Sequence, residues 1–329
     1  MAGSGVAHLR KDEGPVLAIE NLVVEFPAGR GRTVHAVSNI SFDLLPGETL
    51  GIVGESGCGK STAGRAVLQL PAPTSGSVEI NGIELTALSP SALRKIRAQI
   101  QMIMQDPISS LNPRRKVKHL VTEGPRMWGQ RNTERLESLA RELLAAVGLD
   151  PDMVWDRLPG ELSGGQCQRV CIARAMMLKP KVLICDEPVS SLDVSVQAQI
   201  LNLLEHTKTE FELTMIFIAH NMAVVKNISD RVMVMYLGKV CEIAPSRDME
   251  HQARHPYSRL LLASIPDPDV HRGDAESTPQ IEGDLPSPLD PPSGCRFRTR
   301  CPLATDRCAQ EEPLLREIAD NHYVACHNV

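Results

Sequence analysis

A glycine-rich segment that ends in lysine and two hydroxyl residues carries the clearest chemistry in this sequence. Its residues are Gly54, Glu55, Ser56, Gly57, Cys58, Gly59, Lys60, Ser61 and Thr62. They fit the pattern G-x-x-x-x-G-K-[ST] between a predicted strand and a predicted helix, which is the context this motif requires. Glycines let backbone N–H groups turn inward around a phosphate, and the helix N-terminus adds positive charge. The motif predicts that Lys60 bridges the β and γ phosphates of a nucleotide and that the Ser61 hydroxyl binds Mg²⁺.

Two adjacent acids after an apolar run form a second candidate for phosphate chemistry. Asp186 and Glu187 directly follow the apolar residues 182–185. Ligands of open α/β folds bind outside the carboxyl ends of the strands, so Asp186 is placed to hold Mg²⁺ there, directly or through water. Glu187 is placed to polarise the water that attacks the γ phosphate. Taken alone, the pair is equally compatible with the cap of a turn, but its occurrence beside Lys60 favours the catalytic interpretation.

A second glycine-rich segment precedes another predicted helix. Ser163, Gly164, Gly165 and Gln166 stand before the helical pattern 166–178. A helix that begins after glycines can present backbone donors to an anion. A single Ser-Gly-Gly is also an ordinary helix cap. This segment therefore indicates a functional site only in combination with the phosphate motif and the two adjacent acids.

Together, these motifs resemble the nucleotide-binding subunit of ATP-binding cassette (ABC) transporters, over roughly 16–246. The resemblance implies that Gln105 is the glutamine that contacts Mg²⁺ and the γ phosphate, in a loop that meets the membrane partner. It implies that Asp193, at the end of Ser190-Ser191-Leu192-Asp193, lies at a dimer interface. It also implies that His220 contacts the γ phosphate. Because every one of these motifs is complete, we expect a competent ATPase that uses ATP and Mg²⁺.

The resemblance further implies how two subunits share ATP. In the family they pack head to tail, so that Ser163, Gly164, Gly165 and Gln166 of one chain close over the ATP held by Lys60 of the other. An aromatic residue after the first strand stacks on adenine in the family, and Phe26 is the nearest candidate. Residues 28–33 resemble an insertion that shifts this register, so a place for Phe26 in the core stays equally open.

Strands that alternate with helices predict an α/β fold with a mainly parallel sheet. The predicted strands are 16–26, 41–45, 49–53, 99–105, 181–185 and 214–219, and 230–243 is a predicted hairpin. The predicted helices are 60–70, 134–147, 166–178 and 194–205, and 109–179 is interpreted as a helical insertion. The resemblance implies a P-loop NTPase core of the ABC type with an antiparallel β subdomain and a helical subdomain at about 108–180.

The ends of the chain differ in composition from this core. Residues 1–15 are predicted to be a flexible N-terminus, 16–246 the ATPase domain, and 247–329 a small C-terminal domain that contains cysteines. Seven prolines between 266 and 294 indicate a linker or an extended segment. We expect the C-terminal domain to be held together mainly by its thiols, to support the subunit against its partner, and not to be needed for catalysis.

The nine cysteines fall into two groups. Those of the ATPase domain are scattered and predicted to be buried thiols: Cys58, Cys167, Cys171, Cys185 and Cys241. The others crowd into the C-terminal end: Cys295, Cys301, Cys308 and Cys326. With His255-Pro256-Tyr257, they resemble the C-terminal region of oligopeptide and dipeptide importer ATPases, a branch that includes nickel importers. In some members four such cysteines hold an iron–sulfur cluster, here a possible [4Fe–4S] cluster. Tetrahedral Zn²⁺, free thiols and a disulfide stay open as alternatives.

Composition limits the remaining function classes. The chain has 329 residues, 42% hydrophobic residues and a net charge of −5, so nothing in its overall charge calls for nucleic acid as a partner. We expect no membrane-spanning segment and no secretory signal, and so a peripheral protein on the cytoplasmic face of the cell membrane. A regulatory dinucleotide-binding module would need G-x-G-x-x-G, and the phosphate motif here is of the other kind.

The leading prediction is therefore an ATPase subunit that energises import of di- and oligopeptides, with nickel or another solute as the alternative cargo. The resemblance implies two membrane-spanning permease subunits, a second ATPase subunit that is a different chain, and an extracytoplasmic solute-binding protein. A soluble cassette protein that acts on ribosomes or DNA repair complexes is the third possibility. The single cassette, the acidic balance and the lack of a basic tract speak against it.

Overall fold

The computed structural model describes residue 6 and residues 8–265 and 283–329. Its strands are β1 (Leu17–Pro27), β2 (Thr33–Leu44), β3 (Thr49–Val53), β4 (Ser75–Ile80), β5 (Ile83–Glu84), β6 (Ile100–Ile103), β7 (Val182–Asp186), β8 (Thr214–Ala219), β9 (Arg231–Tyr236), β10 (Lys239–Pro245), β11 (Arg316–Ala319) and β12 (His322–Val324). Its helices are α1 (Lys60–Val67), α2 (Pro90–Ile96), α3 (Val117–Met127), α4 (Thr133–Ala146), α5 (Pro151–Val154), α6 (Gly164–Met176), α7 (Val194–Phe211), α8 (Met222–Ile228), α9 (Ser246–Gln252), α10 (Pro256–Ala263) and α11 (Asp306–Gln310).

The chain forms two compact units. Unit 1 comprises residues 1–87 and 217–329, and unit 2 comprises residues 88–216, so the boundary falls inside β8. Most of the predicted proline-rich linker, residues 266–282, lies outside the described residues. Among the residues described, no helix combines the length and the apolar character that crossing a bilayer requires.

Unit 1 contains antiparallel and parallel strand pairs. One sheet has the order β2-β1-β4-β5 with antiparallel neighbours, as the predicted antiparallel subdomain requires. In a second set, β3 runs parallel to β9, and β9, β10, β12 and β11 follow as antiparallel neighbours. The predicted hairpin at 230–243 is β9 and β10. Its turn residues Leu237 and Gly238 have φ values of 43° and 77°, as a two-residue hairpin turn demands.

In unit 1, the sequence misplaces the start of β2 and the end of α1, and it misses strand β4. Strand β2 begins at Thr33 rather than at 41, because its first half, which mixes polar and apolar residues, pairs with β1. Strand β4 was not predicted, since Ser75 and Gly76 resemble a turn. Helix α1 ends at Val67 rather than at 70, because Gln69 has a left-handed backbone with φ 56°.

Unit 2 joins a parallel strand pair to a group of helices. Strands β6 and β7 pair in parallel with Ile100 opposite Val182. Helix α4 begins after Asn132, whose side chain accepts a hydrogen bond from Arg135 N, and ends before Gly148 with φ 74°, close to the predicted limits. Helix α7 continues past its predicted end at 205 to Phe211, because Thr207 is buried and the left-handed residue that stops the helix is Glu212.

The described part of the N-terminal segment is packed and hydrogen-bonded to the fold, whereas the sequence predicted a flexible N-terminus. The His8 side chain is 2% exposed, and its Nε2 atom lies 2.6 Å from Ser41 O. Arg10 Nε lies 2.9 Å from Asp43 Oδ2, and the buried Arg231 reaches the same carboxylate at 2.8 Å. These groups are desolvated and paired, so this segment is fixed to β2. The predicted flexibility of residues 1–5 and 7 lies outside the described residues.

The C-terminal segment forms more core of its own than the sequence suggests. Phe297 is 1% exposed, and its ring centroid lies 5.1 Å from that of Tyr236 and 5.3 Å from that of Tyr257. Strand β12 extends the sheet by pairing with β10. The expectation that thiols mainly hold this region together is therefore wrong, because aromatic packing and strand pairing already anchor it.

Candidate functional site

The glycine-rich segment 54–62 forms a turn of unusual backbone between β3 and α1. Gly57 and Gly59 have φ values of 80° and 103°, which residues with a side chain rarely adopt. A Cβ atom on Gly59 would lie 2.2 Å from Ala36 O. The loop therefore needs glycine at this position, and its N–H groups are fixed in place at the N-terminus of a helix, where anions bind. Ser61 and Thr62 lie in the first turn of that helix.

Lys60 is held inside this loop. Its side chain is 4% exposed, and Nζ donates hydrogen bonds to Gly54 O at 2.8 Å and to Glu55 O at 2.9 Å. The Cys58 sulfur lies 3.9 Å from Nζ, and burial raises the pKa of this thiol, which keeps it neutral. The ammonium is the positive group at the centre of the loop.

Two residues that the sequence did not single out as part of this site contact Glu55. Arg300 Nη1 donates to Glu55 Oε1 and Oε2 at 3.1 and 2.9 Å, and Tyr257 Oη accepts from Glu55 N at 2.8 Å. Tyr257 was noted only within a resemblance, and no local pattern marks Arg300. Both contacts join the C-terminal region to the phosphate loop across more than 200 residues of sequence.

In unit 2, Gln105 and Glu187 lie together. Strand β7 ends in the fully buried Asp186, and Gln105 Nε2 donates to Glu187 Oε2 at 3.1 Å. Glu187 has a φ of 46°, a left-handed conformation that a residue with a side chain adopts at an energetic cost of about 1 kcal/mol or more. Such strain concentrates at functional sites. The sequence predicted roles for Gln105 and Glu187 but contained no signal for the left-handed backbone of Glu187.

The second glycine-rich segment is an ordinary capped helix start in unit 2. The Ser163 hydroxyl accepts from Gln166 N at 3.3 Å, and Gln166 Oε1 accepts from Ser163 N at 3.0 Å. A Cβ atom on Gly165 would lie 2.8 Å from Val196 Cγ1 at the start of α7, and one on Gly164 would lie 3.5 Å from Leu192. The segment thus packs against the chain around Asp193, which precedes α7.

The two remaining predicted site residues belong to unit 1. His220 is exposed and follows β8, where Asn221 caps helix α8 by accepting from Ala223 N at 2.8 Å. Phe26 lies near the end of β1, opposite Val34, and is half-buried rather than in the core. Its role in adenine stacking stays a prediction.

The cysteines divide as the sequence suggests. Cys58, Cys167, Cys171, Cys185 and Cys241 are buried free thiols. In the C-terminal group, the pKa of Cys295 is raised to about 11, mainly by burial and to a smaller extent by the nearby Cys308, Cys301 and Cys326. Burial also raises the pKa of Cys301 and Cys326. Cys308, Cys301 and Cys326 therefore lie within electrostatic range of Cys295.

The arrangement does not by itself form a metal centre. Within residues 8–265 and 283–329, histidines, cysteines and carboxylates make no group of three or more that could hold a metal ion. The four C-terminal thiols as placed here therefore do not fit an iron–sulfur cluster or a zinc site.

The sequence matches two families in consecutive parts of the chain. The family described as "ABC transporter" matches residues 37–190. The family described as "Oligopeptide/dipeptide transporter, C-terminal region" matches residues 241–308. The first match contains the phosphate loop, Glu187 and the segment 163–166, and the second contains Tyr257 and Arg300.

Relatives of similar length match nearly the whole chain. YkfD of Bacillus subtilis is 48% identical over 314 residues, which make up 95% of this chain and 95% of YkfD. The oligopeptide transport ATP-binding protein OppF of Escherichia coli is 46% identical over 327 residues, 95% of this chain and 96% of OppF.

Solved structures match the larger part of the fold. CbiO1 from Clostridium perfringens, part of the ABC transporter complex cbiONQ, has a TM-score of 0.64 at 27% identity and covers 73% of this chain and 92% of its own. The ATP-binding cassette MJ0796, in a dimeric post-hydrolysis state bound to ADP and Pi, has a TM-score of 0.64 at 28% identity. That match covers 70% of this chain and 99% of the cassette.

Proposed function

Because the chain belongs to the ABC transporter ATP-binding proteins, in their oligopeptide/dipeptide branch, we propose that it binds and hydrolyses ATP to energise import of di- and oligopeptides. The observation that carries this proposal is 46% identity to an oligopeptide transport ATP-binding protein over 95% of the chain. The C-terminal match over residues 241–308 favours peptide over other cargo, since this region is named for oligopeptide and dipeptide transporters.

The ATP chemistry is assigned to residues of both units, each by its place in a motif. In unit 1, loop 54–62 binds the phosphates through its N–H groups and through Lys60. His220 contacts the γ phosphate. In unit 2, Glu187 holds the attacking water, and the hydrogen bond from Gln105 orients the Glu187 carboxylate. Ser61, Gln105 and Asp186 are the residues that would hold Mg²⁺, which neutralises phosphate charge when bound.

The partners follow from the same family. We infer that the chain works at the cytoplasmic face of the membrane with two permease subunits, a second and different ATPase subunit, and an extracytoplasmic solute-binding protein. The capped segment 163–166 faces solvent at Ser163, as a contact to the ATP of a neighbouring subunit requires.

A substitution at Lys60 tests the ATP site. Lys60→Ala should abolish binding of MgATP by the purified full-length chain, because the ammonium at the centre of the loop is lost. Lys95→Ala, which removes an exposed lysine from helix α2, is the matched control and should bind as the wild type does. Binding by Lys60→Ala equal to that of the control would refute the site.

Uptake measurements test the cargo. Cells that lack the gene should fail to accumulate a labelled tripeptide, and re-expression of the wild-type chain should restore uptake, whereas Lys60→Ala should not. Nickel uptake measured in the same cells distinguishes the alternative cargo. Normal peptide uptake in the deleted strain, together with loss of nickel uptake, would overturn the peptide assignment.

The iron–sulfur cluster stays a prediction that rests on the family's C-terminal cysteines alone. The thiols as described here do not support it. Iron and zinc analysis of the anaerobically purified chain decides the question, because a [4Fe–4S] cluster requires iron and a structural site requires zinc. Absence of both metals would leave four free thiols.

A further inference from the structure

The phosphate loop contains a carboxylate that would oppose its own ligand. Glu55 is the residue after Gly54, so its negative charge stands in a loop whose backbone is arranged to receive phosphates. Like charges at such short range repel, and the repulsion is stronger where water is partly excluded. The Glu55 side chain is 25% exposed and is therefore only partly screened. An uncompensated Glu55 would weaken ATP binding.

Arg300 supplies the compensating charge. Its guanidinium is 7% exposed, and Nη1 donates to both carboxylate oxygens of Glu55, at 3.1 and 2.9 Å. The same atom lies 3.3 Å from Tyr236 Oη, and Cζ lies 5.8 Å from the centre of the Tyr236 ring. A guanidinium buried between an aromatic ring and a carboxylate is a fixed ion pair rather than a mobile surface contact.

The backbone of the loop is contacted by the same region. Tyr257 Oη accepts the hydrogen bond of Glu55 N, and the fully buried Tyr257 ring packs edge-on against Tyr236 with centroids 4.9 Å apart. Arg296 donates to Leu237 O, and the next residue, Gly238, donates its N–H to Cys58 O at 2.7 Å. The C-terminal region thus reaches the loop through Glu55 directly and through the β9–β10 turn.

We propose that Arg300 and Tyr257 are positioning residues of the ATP site, which hold the phosphate loop through Glu55 and cancel the Glu55 charge before ATP arrives. The proposal rests on the proposed function and extends the ATP site into the C-terminal region. Neither residue touches ATP in this scheme. Arg300 acts on the electrostatic potential of the loop, and Tyr257 acts on the direction of the Glu55 N–H.

The test is MgATP binding and hydrolysis by the full-length chain. Arg300→Ala should raise the Kd for MgATP about tenfold, which corresponds to ~1.4 kcal/mol, while kcat at saturating ATP stays within about twofold. Such a change in binding without a change in turnover is the mark of an interaction made equally in the ground and transition states. Tyr257→Phe, which keeps the ring and removes the acceptor, should raise the Kd a few-fold.

Charge rescue separates electrostatics from a general structural role. Glu55→Gln introduced into Arg300→Ala should lower the Kd back towards the wild-type value, because the unpaired carboxylate is removed. Arg300→Lys should retain most of the binding. Arg298→Ala is the matched control, since Arg298 lies on the same segment and bonds Ser293 instead. Its Kd should equal that of the wild type.

Three results would overturn the proposal: wild-type binding by Arg300→Ala, no rescue by Glu55→Gln, or equal weakening by Arg298→Ala. If Arg300→Ala does not fold, Arg300→Gln and Arg300→Lys provide the same comparison, with the lysine variant the tighter binder. The Lys60→Ala variant distinguishes a failure of the role proposed for Arg300 from a failure of the proposed ATP site. Loss of binding in Lys60→Ala with normal binding in Arg300→Ala would refute only the role of Arg300, whereas normal binding in Lys60→Ala would refute the ATP site itself.

Discussion

Two glycine-rich segments of this chain start helices, but only the phosphate loop has glycines with positive φ values. In the phosphate loop, Gly57 and Gly59 adopt positive φ values, and Lys60 donates to carbonyl groups of the loop itself. In the second segment, neither Gly164 nor Gly165 has a positive φ, and side chains of Ser163 and Gln166 cap the helix. In the first segment glycine permits a backbone conformation with positive φ, and in the second segment it permits close packing against neighbouring side chains.

The two segments also differ in what supports them. The phosphate loop is contacted by Tyr257 and Arg300, which are buried, and so it is preorganised before any ligand binds. Ser163 is exposed and bonds only within its own helix turn among the contacts described here. The phosphate loop is thus supported by side chains from a distant part of the same chain, whereas the second segment stays exposed at Ser163.

The largest expected effect comes from a side chain on the strained glycine of the loop. Gly59→Ala should lower the free energy of unfolding by about 4 kcal/mol, because φ is positive and the new Cβ would meet a backbone oxygen. It should also abolish MgATP binding. Urea unfolding and calorimetric titration measure the two effects. Normal ATP binding by Gly59→Ala would show that the loop does not need this backbone shape.

Acid should weaken the region that supports the loop. Burial lowers the pKa of His255 to about 4, while Glu242, which accepts the hydrogen bond of the His255 N–H, acts in the opposite direction. Because the folded pKa lies below that of the unfolded chain, this contribution to stability is complete above about pH 6.5 and is lost as the pH falls to about 4. The loss should amount to about 3 kcal/mol.

The variant His255→Asn isolates this effect. Asparagine can still cap α10 by accepting from Tyr257 N, as His255 Nδ1 does at 3.1 Å, but it does not titrate. Its unfolding free energy, measured in urea between pH 7 and pH 4, should fall less than that of the wild type. Parallel curves for the two proteins would contradict a buried neutral His255.

The smallest effect is expected in the second segment. Gly165→Ala should destabilise the chain by about 1 kcal/mol, because the new Cβ meets a side-chain atom of Val196 that can shift, rather than a backbone oxygen. MgATP binding by the single chain should not change. Adding Val196→Ala should recover the lost stability in urea unfolding. A decrease in the free energy of unfolding as large as that of Gly59→Ala would show that both segments require glycine to the same extent.

The elements of this fold were predictable where neighbouring residues carry a clear turn, cap or strand signal. The hairpin turn at Leu237 and Gly238, the cap of α4 at Asn132, and the buried strand β7 all have short-range signals. Strand β2, by contrast, depends on its pairing with β1, and β12 depends on its pairing with β10. Pairing with a distant strand is not visible in the local residue pattern of either β2 or β12.

The candidate site likewise has features that local motifs predict and features that depend on distant parts of the fold. Lys60, Glu187 and Ser163 stand in motifs, and their positions at the starts of helices and the end of a strand were predicted. The left-handed backbone of Glu187 was not, because it follows from the surrounding fold. The contact of Arg300 with Glu55 joins residues 245 positions apart in sequence, so no local pattern could reveal that the C-terminal region contacts the phosphate loop.

Glu187→Gln tests the central claim, ATP hydrolysis by this chain, most directly. Steady-state ATP hydrolysis by the purified full-length variant should fall about a hundredfold or more, since the carboxylate that polarises the attacking water is lost. The Kd for MgATP, measured on the same sample, should stay within about twofold of the wild-type value, because the phosphate loop is intact. Unchanged turnover in Glu187→Gln would contradict the assigned chemistry.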